Sequence, residues 1–233
     1  MKTEKSNYQA TRENREGKLY SIRVWDIPTR FFHWLLVGLV IFSFITGKIG
    51  VTTMKYHEWS GFAILVLVGF RLVWGFIGGQ QSRFSTFVKG PAAVIRYASS
   101  LLSKDSKRHI GHNPLGGWSI LAMLVSLLIQ VGTGLFANDD ILTEGPLYAL
   151  VSKQTSDWLT GIHHLNQKIL LVLVVIHIGA VIFYLIVKRD NLIKPMITGN
   201  KTWHQNIDSA PGNPALAIVL AAVVAAVAYV IIY

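Results

Sequence analysis

Residues 162–187, IHHLNQKILLVLVVIHIGAVIFYLIV, form a long apolar segment that contains three histidines. His163 and His177 are fourteen residues apart, so on an α-helix they lie within about 40° of the same face and about 21 Å apart along the axis. His164 is thirteen residues from His177 and points roughly to the other side of the helix. One helix could therefore supply ligands to two metal centres stacked along its axis.

The composition predicts an all-α integral membrane protein. The chain has 233 residues, of which 52% are hydrophobic and only 15% charged. A helix needs about 20 apolar residues to cross the hydrocarbon core, and a bilayer offers no water to open backbone groups, which favours helices. Five runs are long enough, and we interpret them as five spans: 31–50, 56–77, 115–137, 162–187 and 214–233.

The basic residues indicate the orientation. Residues 1–30 carry seven Lys and Arg, 78–114 carry six and 188–213 carry four, whereas the two alternate connections hold only Lys55 and Lys153. The positive-inside rule therefore predicts a cytoplasmic N-terminus and a periplasmic C-terminus. The net charge of +10 is explained by contact with anionic lipid headgroups, so no nucleic-acid partner is expected.

Several classes of site are excluded by the residues that the chain lacks. There is no cysteine, which excludes disulfides, cysteine-ligated iron–sulfur clusters and haem attached through thioether bonds. We find no nucleotide-binding loop, Rossmann fingerprint or zinc-protease motif. Any haem must therefore be held without covalent attachment.

Four histidines in the spans match in depth. Because neighbouring spans run in opposite directions, His57 and His163 fall near the outer face, and His33 and His177 near the inner face. Two imidazoles from two helices can ligate both faces of a planar macrocycle, whereas zinc needs three or four converging ligands. The alternative is that each histidine bonds a carbonyl group or reaches the interface. His109, His112 and His204 are expected to be solvated or to handle protons.

Two arginines are candidates for binding haem propionates. Arg30 lies one turn before His33, and Arg71 lies fourteen residues after His57, so each shares a helix face with a histidine. For Arg71 the alternative is that it extends to the cytoplasmic surface. The fifth span has no histidine or charge, and we expect it to be an anchor or a helix that packs on a partner.

The sequence resembles the bacterial cytochrome b561 family, which includes b-type cytochrome subunits of nickel–iron hydrogenases. The resemblance covers about residues 20–190. The stretches that carry it are 24–34 (VWDIPTRFFHW), 56–61 (YHEWSG), 70–75 (FRLVWG), 111–117 (GHNPLGG), 133–135 (TGL) and the segment from His163 to His177. Many relatives have an acidic residue where this chain has His164, so the outer site is expected to differ in its surroundings.

The resemblance implies a four-helix transmembrane bundle with two b haems, and the family's ligands fall on His33, His57, His163 and His177. We therefore expect a cytoplasmic tail over 1–20, a haem domain over 21–195, and a linker with a fifth C-terminal transmembrane helix over 196–233. Both irons would have two histidine ligands, so neither is expected to bind oxygen.

The predicted function is electron transfer across the bacterial inner membrane, between a quinone pool and a periplasmic partner such as a c-type cytochrome. One alternative is the membrane-anchoring cytochrome b subunit of a hydrogenase or other oxidoreductase complex. A second is a stand-alone superoxide/quinone oxidoreductase, and a third is a haem-free transporter. Whether the chain is itself an enzyme stays open at this point, as does the direction of electron flow.

Overall fold

The computed structural model describes residues 19–101 and 108–233. The predicted cytoplasmic tail over 1–20 therefore lies almost wholly outside the described residues. The described residues form two short strands, β1 (Tyr20–Arg23) and β2 (Asn200–Trp203), and eight helices. The helices are α1 (Ile27–Ile49), α2 (Met54–Ile77), α3 (Phe84–Phe87), α4 (Pro91–Ser100), α5 (Pro114–Gly134), α6 (Lys153–Ile186), α7 (Ile193–Thr198) and α8 (Pro214–Ile232).

Five of these helices, α1, α2, α5, α6 and α8, are long and apolar enough to cross a membrane. The prediction of five spans is confirmed. The largest difference is at α6, which begins at Lys153 and not at residue 162, because Ser152 caps its first turn by accepting a hydrogen bond from the Thr155 backbone N–H at 3.2 Å. The next turns of α6 are polar, so a search for apolar runs does not include them in the span.

The first four spans pack as a bundle, with α1 against α2, α2 against α5, and α5 against α6. Aliphatic side chains from α2, α5 and α6 fill its middle. Leu170 lies seven residues from both His163 and His177, so this aliphatic layer separates the depth of one histidine from that of the other. Its buried members are Ile64, Val68, Leu127, Val131 and Leu170.

The fifth span, α8, packs mainly against α2. Ala217 of α8 joins a buried cluster with Phe32, Phe70 and Trp74. The two helices approach closely at Gly69, where an added Cβ would lie 2.9 Å from the Val224 side chain. The fifth helix is thus part of the folded bundle, on the α2 side.

Side-chain caps fix where α1 and α5 begin. Asp26 accepts a hydrogen bond from the Thr29 backbone N–H at 2.8 Å, and its other oxygen accepts from the Gly79 N–H at 3.1 Å. Asn113 accepts from the Gly116 N–H at 2.7 Å, with Pro114 as the first helical residue. These caps satisfy backbone donors that a helix start leaves open, and Asp26 also ties the start of α1 to the end of α2.

The two strands pair antiparallel, with Tyr20 opposite Trp203 and Arg23 opposite Asn200. Ile22, Val24 and Trp25 are buried beside this ribbon, against Ile110, Met196, Trp203 and Ile207. The ribbon therefore joins the segment before α1 to the segment after α6 and covers one end of the bundle.

Candidate haem-binding site

The structure brings His57 of α2 and His163 of α6 together. Their ring centroids are 6.2 Å apart, and the ring planes are inclined at 81°. Two imidazoles that bind one metal ion through nitrogens at about 2 Å each have centroids about 6 Å apart. The spacing of this pair, called the His57–His163 level below, therefore fits a shared metal ion.

Hydrogen bonds fix which nitrogen of each ring is protonated. The Nδ1 of His57 lies 2.9 Å from the Ser43 carbonyl oxygen, and the Nδ1 of His163 lies 2.9 Å from the Gln130 carbonyl oxygen. A carbonyl oxygen only accepts, so each Nδ1 carries the proton and each Nε2 has a lone pair. Metal-bound histidines usually donate their other N–H in this way, which fixes the ring orientation.

A cavity of about 300 Å³ lies at the His57–His163 level. Glycines let the helices approach its histidines: a Cβ at Gly47 would lie 3.0 Å from His57 Nδ1, and one at Gly134 would lie 3.1 Å from the His163 ring. Gly61 also lines the cavity, and nothing lies within 4 Å of the position that its Cβ would take. Space beside a small residue suits a flat macrocycle.

Two other parts of the chain close this cavity. Residues of the loop between α5 and α6 line it, among them Asp139 and Thr143, as do Ile232 and Tyr233 at the end of α8. The Asp139 carboxylate accepts hydrogen bonds from three backbone N–H groups, of residues 141–143, at 2.8 to 2.9 Å. These N–H groups hold the pKa of Asp139 well below its usual range.

The sequence predicts a second pair at another depth, His33 of α1 and His177 of α6, called the His33–His177 level below. The Nδ1 of His33 is buried and has no hydrogen-bond partner, and its ring meets the Trp34 ring edge-on at 4.9 Å. Both histidines lie near His112, whose pKa falls to about 3 because of burial and the nearby Arg71, His177 and His33.

Arg71 does not extend to the surface. Its side chain is 3% exposed, and its guanidinium lies over the rings of Phe84 at 5.0 Å and Phe87 at 5.9 Å. Its Nη1 is buried with no hydrogen-bond partner. An unpaired buried donor on a cation is costly. The Nη1 of Arg71 is therefore suited to donate a hydrogen bond to an anionic group such as a propionate.

Arg30 is placed differently. Its Nη1 donates a hydrogen bond to the Ile197 carbonyl oxygen, and its guanidinium lies beside Gly199. Its Nε is buried without a hydrogen-bond partner. Arg30 therefore contacts the segment after α6 while one donor is still unused.

Two further histidines, His164 and His112, lie near these levels. His164 is exposed on α6, which continues as a regular α-helix through it, and it also lines the cavity of the His57–His163 level. The expectation that His112 is solvated is wrong: its Nδ1 is buried, and its ring packs on Phe87 at 4.8 Å. The sequence feature that could have indicated the packing of His112 is its position directly before Asn113, the residue that caps α5, in GHNPLGG.

In residues 19–101 and 108–233, no group of three or more His, Cys, Asp or Glu side chains could hold a metal ion. Pairs of histidines at two depths of a helical bundle instead suit a cofactor that supplies the remaining ligands itself. The fold and the site together define a class, the membrane-spanning helical bundles suited to non-covalent haem.

The chain belongs to the prokaryotic cytochrome b561 family, whose family model matches residues 24–199. The match covers the four spans that contain or pack on the histidines, and it confirms the resemblance found in the sequence. Membership makes the chain a b-type cytochrome of the membrane.

Curated relatives carry a more specific description, "Probable Ni/Fe-hydrogenase B-type cytochrome subunit". The Rhodobacter capsulatus protein is 24% identical over 83% of this chain and 87% of its own length. The Azotobacter vinelandii protein is 25% identical over 91% of this chain and 100% of its own length. A third, from Azotobacter chroococcum, is 26% identical over 91% and 100%. No solved structure matches the chain significantly.

Proposed function

We propose that the chain is the electron-transferring membrane subunit of an oxidoreductase complex and holds two b haems, one at each histidine level. The observation that carries this proposal is the His57–His163 pair, with rings 6.2 Å apart and both Nδ1 atoms bonded to carbonyl oxygens. A bound haem supplies one-electron redox chemistry at its iron. His33 and His177 would hold the second haem.

The protein's own part is to fix positions and to exclude water. His163 and His177 on one helix set the two levels about 21 Å apart along its axis. The buried aliphatic layer around Val68 and Leu170 keeps the space between the levels dry. Burial of this kind and nearby charges tune the potential of a haem.

The arginines would bind propionates at the His33–His177 level. Arg71 supports this with its buried, unpaired Nη1, and Arg30 with its unpaired Nε. A carboxylate would accept hydrogen bonds from these groups and neutralise the buried charge of Arg71.

The names of the relatives support a subunit of a complex better than a free-standing carrier between quinone and periplasm. We propose that the catalytic partner, a hydrogenase or another oxidoreductase subunit, docks at the His57–His163 end, on the periplasmic side of the inner membrane, and that quinone exchanges electrons with the chain. The basic loops support this orientation through the positive-inside rule.

The experiment is a haem assay on the purified chain with a reduced-minus-oxidised spectrum. We expect two b haems per chain. His177→Ala should remove one of them and leave the other, His57→Ala should remove the other, and His164→Ala should spare both. Retention of both haems in His177→Ala would refute the assignment of that ligand.

A second experiment separates the subunit from a stand-alone enzyme. The purified chain alone should not oxidise superoxide or reduce quinone at a catalytic rate, but it should accept electrons from its co-purified catalytic partner. Sustained turnover by the isolated chain would favour the superoxide/quinone oxidoreductase instead.

A further inference from the structure

A chain of hydrogen-bonded polar side chains joins α5 to α6 and ends at His163. The Ser126 hydroxyl donates to the Asn166 amide oxygen at 3.0 Å, and the Asn166 amide nitrogen donates to the Gln130 side-chain oxygen at 2.7 Å. The Gln130 amide nitrogen lies 3.0 Å from His163 Nε2. Ser126 and Asn166 are each 4% exposed, so the network lies inside the bundle.

Backbone carbonyls at both ends fix the direction of every hydrogen bond in this network. The Asn166 amide nitrogen also donates to the Ser126 carbonyl oxygen at 2.9 Å, so it is the nitrogen and not the oxygen of Asn166 that faces Gln130. The Gln130 side-chain oxygen must then accept, which turns its amide nitrogen toward His163. At the far side of the ring, His163 Nδ1 donates to the Gln130 carbonyl oxygen at 2.9 Å.

The donor-to-acceptor direction of these hydrogen bonds assigns the tautomer of His163. Its Nδ1 carries the proton, and its Nε2 accepts a hydrogen bond from the Gln130 amide. An imidazole nitrogen has a single lone pair. His163 Nε2 therefore binds either the Gln130 amide or an iron, and the two are mutually exclusive.

We propose that Gln130 is a positioning residue that competes with haem for His163, and that Asn166 holds Gln130 in the competing position. The inference rests on the proposed function, because it takes His163 as an axial ligand. The network holds His163 in the tautomer that iron requires, with the proton on Nδ1. At the same time the Gln130 amide occupies the lone pair of His163 Nε2. Haem binding at the His57–His163 level then has to displace the hydrogen bond between the Gln130 amide and His163.

The expected change in haem affinity follows from the net free energy of one such hydrogen bond. A net hydrogen bond in a protein changes an equilibrium by about three- to tenfold. Gln130→Leu keeps a side chain of similar size and removes the competing amide, so haem should bind at this level about three- to tenfold more tightly. Asn166→Leu should act in the same direction, because it releases the Gln130 amide from its anchor.

The test is the equilibrium partition of haem between the holoprotein and graded concentrations of apomyoglobin, resolved by the spectra of the two haems. Gln130→Leu and Asn166→Leu should each retain the haem of the His57–His163 level more strongly. The double variant should equal Gln130→Leu alone, since Asn166 acts through Gln130. The haem of the His33–His177 level should be unchanged in all three, which also shows that they fold.

A matched control is Gln154→Leu, the same change at an exposed residue near the start of α6, which should leave both partitions unchanged. Unchanged or weaker retention in Gln130→Leu would overturn the inference, as would additive effects in the double variant. Failure of the proposed function would give a different result. The wild-type protein would then hold no haem that depends on His163, so His163→Ala would remove none.

Discussion

The imidazole of His112 lies 4.6 Å from the indole ring of Trp25, at an inclination of 47°. Phe87 packs on the same imidazole, so the segment before α1, the short helix α3 and the segment before α5 meet at one histidine, whose Nδ1 is buried. Gly117 allows this contact, because an added Cβ would lie 2.7 Å from the Phe87 carbonyl oxygen. His112 thus joins three parts of the chain that are distant in sequence.

We expect His112 to make the protein less stable in mild acid. Its pKa is about 3 in the folded chain and 6.5 in the unfolded chain, so the unfolded state takes up the proton first. The contribution of His112 is complete above pH 6.5 and declines as the pH falls toward 3, by about 1.4 kcal/mol per pH unit. Thermal denaturation of wild type and His112→Leu between pH 7 and 5 measures this loss of stability. The stability of the variant should fall less steeply as the pH decreases, and equal slopes of stability against pH would contradict the prediction.

Gly134→Ala should weaken haem binding at the His57–His163 level. The added Cβ would lie 3.1 Å from the His163 ring, which forces the ring aside. Overpacking of this kind costs on the order of 1 kcal/mol, or about fivefold in haem affinity. The matched control is Gly132→Ala, where nothing lies within 4 Å of the added atom. A haem titration in which both variants bind like wild type would show that the ring has room to move.

Arg71→Leu should lower the midpoint potential of the haem at the His33–His177 level. Removal of a buried positive charge favours the oxidised iron, which carries the greater positive charge. At about 10 Å and an effective dielectric constant of 20 the interaction is about 1 to 2 kcal/mol, which corresponds to several tens of millivolts for one electron. Potentiometric titration measures the change. Arg71→Lys keeps the charge and should shift the potential less, and a rise in Arg71→Leu is the opposite of what we expect.

The loop between α5 and α6 should stay ordered until the pH is low. Asp139 has a pKa below its usual range because three backbone N–H groups bond to it, so its contribution is present above about pH 4 and is lost only as the pH falls further. Amide hydrogen exchange of residues 141–143 should be slow at pH 5 to 7 in wild type. The same amides should exchange faster in Asp139→Ala, whereas Asp139→Asn, which keeps one acceptor oxygen, should fall between the two.

The five spans and the pairing of His57 with His163 could be predicted because both depend on local properties. Hydropathy is summed along the chain, and the depth of a residue in a span follows from its distance to the span's end. The alternation of helix direction then brings His57 and His163 to one level without knowledge of side-chain contacts.

The features that the sequence did not predict depend on contacts between distant segments. Strands of four residues carry little local signal, and β1 pairs with β2 about 180 residues later. Gln130 and Asn166 were visible as polar residues within spans, but their partners depend on the register between α5 and α6. His112 lies in a basic connection, and only the structure reveals that its ring packs against Trp25 and Phe87.

The length of α6 has a mechanical consequence. Its 34 residues extend about 51 Å, whereas the hydrocarbon core is about 30 Å thick, so a substantial part of the helix projects beyond the lipid. The turns before His163 hold the neighbouring loop, since Lys153 of α6 pairs with Asp140 of that loop. A docked protein that pulls on those turns would tilt His163 and His177 together in a single movement, because both lie on the same helix.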